Sequence, residues 1–108
     1  MDALEAANAL AEAMLGSAEY REYIKARDLL RTDSRLNLKT EEYKTANMEC
    51  RLDASESNYD SDAETMLSAT YSDLMLNELS RNYLLAEERL YGLINRVHGI
   101  LGEAYGEI

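Results

Sequence analysis

The stretch from Asn77 to Tyr105, NELSRNYLLAEERLYGLINRVHGILGEAY, decides the fold, because its apolar side chains recur at steps of three and four residues. Such steps place side chains on one face of an α-helix. Asn77 stands just before the series, where asparagine is typical of a helix N-cap. The pattern predicts one C-terminal helix of roughly thirty residues, about 40 Å long at 1.5 Å per residue. The series comprises Leu79, Tyr83, Ala86, Leu90, Leu93, Val97, Ile100 and Ala104.

A second set of side chains widens this apolar face. Leu84 and three aromatic residues lie on one flank, and Ile94, Leu101 and Ile108 fall between the flank and the main series. The arc is wider than a two-stranded seam, so we expect the helix to pack against more than one neighbour, including a second subunit. The predicted interface residues are Tyr83, Glu87, Leu90, Tyr91, Leu93, Ile94, Val97, His98, Gly99, Leu101 and Tyr105.

An aromatic residue followed by glycine recurs every seven residues in this stretch. The three pairs are Tyr91-Gly92, His98-Gly99 and Tyr105-Gly106. Each glycine inside a helix costs about 1 kcal/mol relative to alanine, which is tolerated where another backbone approaches closely or where the helix end is loose. We favour close approach of a helix from a second subunit. Glu87, within the apolar arc, is expected to meet a hydrogen-bond donor across that interface.

The rest of the chain also has a helical composition. Proline, phenylalanine and tryptophan are absent, whereas alanine, leucine, glutamate and methionine are plentiful. Gly16-Ser17 and Asp33-Ser34 are expected to separate the first three helices, and SESNYDSD at 55–62 reads as a polar loop before the fourth. Apolar side chains recur at helical spacing in each of these helices: Leu4, Ala7, Ala11 and Met14 in the first; Tyr20, Tyr23, Ile24, Ala26 and Leu30 on one side of the second; Leu36, Tyr43, Ala46, Cys50 and Ala54 on the inner side of the third; and Ala63, Met66, Leu67, Thr70 and Leu74 in the fourth.

These elements predict an all-α protein, an antiparallel helical hairpin or bundle of about five helices in a single domain spanning 1–108. With 46% hydrophobic residues, many of them alanine, the core is thin, and we expect oligomerisation to complete it. The net charge of −10 argues against direct nucleic-acid binding. The single cysteine and the absence of a secretory or membrane-spanning pattern favour a cytoplasmic protein without direct membrane contact.

No motif for catalysis, a metal ion or a cofactor stands out. Asp60, Asp62 and Glu64 alternate as in a calcium loop, but the rest of that motif fails, and Asp60 or Asp62 as a helix N-cap explains the same residues. His98 is interpreted as a packing histidine, with a pH-sensitive interface contact as the alternative. Cys50 is interpreted as a small buried hydrophobe rather than a reactive or cluster-binding thiol. We therefore predict no catalytic, cofactor-binding or metal-binding residues.

The order and spacing of these residues resemble the YlbF/YmcA family of small helical bacterial proteins. ALAEAMLGSAEYREYIKARDLLRTDSRL near the N-terminus is similar to that family's first two helices and its Asp-initiated third, and the stretch from Asn77 to Tyr105 is similar to its last helix. The resemblance implies a subunit without catalytic residues that forms dimers or larger assemblies. It also implies an accessory role in complexes that adjust RNA turnover by a membrane-tethered endoribonuclease, and hence competence, sporulation or biofilm formation.

Three functions follow from these observations. The first is a regulatory adaptor, a homodimer or higher homo-oligomer that binds protein partners such as sister family members or an RNA-processing complex. The second is a small helical enzyme with a metal or ligand site at a subunit interface, built from the acidic loop around Asp60 or from Tyr91 and His98. The third is a structural coiled-coil subunit. The sequence favours the adaptor.

Overall fold

In a computed structural model of the protein, which describes residues 1–55 and 61–106, all regular secondary structure is α-helical. The helices are α1 (Ala3–Leu15), α2 (Ala18–Leu30), α3 (Ser34–Ser55), α4 (Ser61–Leu76) and α5 (Glu78–Tyr105). The all-α prediction is confirmed, as are the five helices and the long last one. Of the predicted loop at 55–62, Ser55 ends α3, Ser61 and Asp62 belong to α4, and residues 56–60 lie outside the described part.

Local side-chain hydrogen bonds fix the helix starts. Ser17 Oγ accepts from the Tyr20 amide at 3.2 Å, and Asp33 Oδ1 accepts from the Leu36 amide at 3.0 Å. Asn77 Oδ1 accepts from the Leu79 amide at 3.0 Å. Each bond satisfies an amide that has no partner within its own helix. The predicted caps at these three positions are confirmed, whereas Asp62 lies in the first turn of α4 rather than at its N-cap and Asp60 falls outside the described residues.

The chain divides into two compact units. The terminal unit comprises residues 1–27 and 83–108, and the central unit comprises residues 28–82. In the terminal unit α2 and α5 run antiparallel, with Glu19 paired to Arg96 and Tyr23 stacked on Tyr83. Its buried side chains are Ala26, Tyr83, Leu84 and Ala86. The prediction of one domain, and that of an oligomer, stay predictions.

In the central unit α3 and α4 also run antiparallel. Lys39 Nζ lies 3.9 Å from Asp73 Oδ2, and the rings of Tyr43 and Tyr71 are 5.9 Å apart. The buried side chains are Leu30, Thr40, Leu74 and Ser80. Both buried hydroxyls bond to backbone carbonyls: Thr40 donates to Leu36 at 2.9 Å, and Ser80 donates to Leu74. This satisfies the polar atoms that burial removes from water.

Several positions of the apolar series are exposed. Ala46 on α3 and Met66 on α4 face solvent, Met66 with 71% of its surface exposed. On α1 no residue is buried, and Leu4 is 78% exposed. Ile100 and Ala104 at the end of α5 are exposed as well. Helical spacing places these residues on the apolar side of their helices. No element in the described part of the chain covers them.

Candidate interaction surface

The predicted interface on α5 belongs to the terminal unit, and its residues fall into three environments. Tyr83 is buried, with 2% of its surface exposed. Its side chain therefore belongs to the core of the subunit, and its assignment to an interface with a second subunit is corrected. Five others are half-buried: Glu87, Leu90, Leu93, Ile94 and Val97. The remaining five are exposed: Tyr91, His98, Gly99, Leu101 and Tyr105.

At the buried end of this surface, the hydroxyl groups of Tyr23 and Tyr83 and the carboxylate of Glu87 form a hydrogen-bonded chain, which we call the hydroxyl chain. Tyr83 Oη donates to Glu87 Oε2 at 3.0 Å, and Tyr23 Oη lies 3.5 Å from Tyr83 Oη, with the two rings tilted at 5.6 Å between centroids. Because the single proton of the Tyr83 hydroxyl is used toward Glu87, the proton of the Tyr23–Tyr83 contact comes from Tyr23. This donor lies one turn earlier on the same helix, and the expectation that Glu87 also meets a donor across an interface stays a prediction.

Ion pairs cover one edge of the same helix. Arg89 Nε lies 3.5 Å from Glu22 Oε2, and an Arg96 Nη atom lies 3.6 Å from a Glu19 carboxylate oxygen. Both arginine side chains are more than half exposed, so water screens these pairs and each contributes about 0–1 kcal/mol. They orient α2 against α5, and they set a polar border beside Gly92.

The C-terminal half of α5 carries the exposed residues. Tyr91, His98, Leu101 and Tyr105 share one side of the helix, which we call the C-terminal apolar surface, and Ile100 is exposed on another side. Ile100 is 67% exposed, Tyr105 58% and Tyr91 55%. A Cβ atom added at Gly92, Gly99 or Gly102 would meet nothing within 4 Å. The space beside these glycines is therefore open in the subunit, as close approach by another chain requires. Contact with a second subunit there stays a prediction.

A groove lies between α3 and α4 in the central unit. It has a volume of about 590 Å³, opens to solvent, and is lined by Tyr43, Cys50, Glu64 and Tyr71 among others. Burial raises the pKa of the Tyr43 hydroxyl, Tyr71 raises it further, and Arg51 acts in the opposite direction. Cys50 is half-buried and lines this groove, so its interpretation as a small buried hydrophobe stays a prediction.

Of the two sites suggested for an enzyme, only the pair Tyr91 and His98 lies within the described residues. Tyr91 and His98 are two turns apart on the exposed flank of α5, and Asp60 lies outside the described residues. In residues 1–55 and 61–106, no group of three or more His, Cys, Asp or Glu side chains is placed to hold a metal ion. No helix in that same part of the chain is long and apolar enough to cross a membrane.

Comparison with known proteins identifies the chain's relatives. Residues 3–104 match a family model described as control of competence regulator ComK, YlbF/YmcA. The chain belongs to the YlbF/YmcA family. This YlbF/YmcA chain is also 33% identical over 110 residues to a UPF0342 protein of Desulfitobacterium hafniense strain Y51, covering 96% of this chain and 85% of the relative. No solved structure matches it. The YlbF/YmcA description is that of a regulator family rather than an enzyme family, and it supports a regulatory role in competence.

Two exposed surfaces of this YlbF/YmcA protein were missed or misjudged from the sequence. The apolar series of α1 was recognised, but its spacing did not show that the helix is open to solvent, with Leu4 and Leu15 78% and 57% exposed. The outward side of α3 was not singled out, although Leu38 and Leu52 are 60% and 58% exposed. The seven-residue interval from Leu38 to Thr45 and from Thr45 to Leu52 is a signal that could have found the second surface.

Proposed function

We propose that this protein is a non-catalytic regulatory adaptor subunit that acts through protein–protein contacts. It associates with itself and with other proteins in complexes that modulate RNA turnover by an endoribonuclease, and in this way influences competence, sporulation or biofilm formation. The observation that carries the proposal is the set of large apolar side chains left exposed on the terminal unit, at Leu4, Leu15, Ile100 and Tyr105. Membership in a family of competence regulators supports the same reading.

The physical argument rests on what such a surface does in water. Exposed apolar side chains that are contiguous, rather than scattered singly, mark sites where a protein binds a partner. On α5, Tyr91, His98, Leu101 and Tyr105 lie on one side of the helix over about four turns, beside three glycines with open space around them. Aromatic residues such as Tyr91 and Tyr105 combine a large apolar ring with a polar hydroxyl, and they are enriched at interfaces.

The test replaces the chromosomal gene with variants in the organism that carries it. The double variant Leu101→Ser and Tyr105→Ser should lower transformation frequency and deplete the proteins that co-purify with the tagged chain, among which an endoribonuclease or sister family members are expected. A matched control, Glu88→Gln on the solvent side of α5, should change neither. Normal transformation and an unchanged set of partners for the double variant would refute the adaptor.

For the same set of strains, the enzyme hypothesis predicts that function is lost while the protein partners are retained. His98→Ala and Tyr91→Phe would then abolish function while every partner is retained, and purified protein would carry a stoichiometric metal ion or ligand. Under the adaptor proposal, transcript half-lives change together with the recovery of partners. Measuring both in each strain separates the two hypotheses.

A further inference from the structure

We draw no further inference here: the strongest candidate, the outward side of α3 on which Leu38, Met48 and Leu52 are exposed, is an apolar helix face, and nothing in the structure shows what covers it.

Discussion

Replacing Tyr83 with phenylalanine tests the hydroxyl chain at the buried end of α5. The ring of Tyr83 is buried and stays in place in the variant, so the packing with Tyr23 is retained while one oxygen atom is lost. The variant loses the 3.0 Å bond to Glu87 and removes the acceptor of the Tyr23 hydroxyl. We expect a lower free energy of unfolding and an unchanged fold.

The size of the loss follows from the environment of the two partners. A hydrogen bond to a charged acceptor contributes about 1.5–3 kcal/mol when its removal leaves that acceptor buried. Glu87 and Tyr23 are only half-buried, and water can replace the lost oxygen at both. We therefore expect a loss of about 1–1.5 kcal/mol, just below that range. In the double-mutant cycle with Glu87→Gln, which keeps an amide oxygen as a weaker acceptor, the coupling energy should be about 0.5–1 kcal/mol.

The assay is urea unfolding at pH 7, followed by circular dichroism at a fixed protein concentration, because self-association would shift the apparent stability. Tyr91→Phe on the same helix is the matched control, since its side chain is 55% exposed, and its effect should stay within about 0.5 kcal/mol. Equal effects of the two substitutions, or a coupling energy of zero, would refute the reasoning that the Tyr83 hydroxyl bond to Glu87 stabilises the terminal unit.

Three further predictions concern other parts of the chain. Leu74→Ala should cost about 2–5 kcal/mol in urea unfolding because the side chain is 1% exposed, and a loss below 1 kcal/mol would contradict its place in the core. The pKa of Tyr43 is raised from 10.0, so its neutral form is favoured in the folded state. The wild-type protein should therefore lose stability relative to Tyr43→Phe as pH rises above about 10, and stability profiles that stay parallel across this range would contradict this. Gly99→Leu should give smaller oligomeric species in light scattering, whereas Gly99→Ala should raise helix stability by about 1 kcal/mol. An unaltered oligomer in the Gly99→Leu variant would indicate that Gly99 is a plain surface glycine.

The helix boundaries were predictable because their causes are local. The caps at Ser17, Asp33 and Asn77 each use a side chain that reaches an amide two or three residues away, so four letters of sequence contain the whole interaction. The long α5 was predictable for a related reason, since its apolar series continues without a break. Asp62 shows the limit of this reasoning, because Asp60, Ser61 and Asp62 all offer a capping side chain within three residues.

The partners of the apolar sides were not predictable in the same way. Helical spacing shows that Leu4, Met66 and Ile100 lie on apolar faces, but it does not say whether another part of the chain covers them. All three are exposed in the structure. The same limit applies to Glu87, whose position in the apolar arc indicated that it has a donor but could not show that Tyr83, one turn away, supplies it.

Helix α3 shows why a polar-looking helix can be rich in contacts. A helix with one apolar side has strong amphipathic periodicity, whereas apolar residues on two opposite sides cancel that signal. Tyr43 and Cys50 lie on the inner side and Leu38 and Leu52 on the outer side, so the sequence of α3 appears merely mixed.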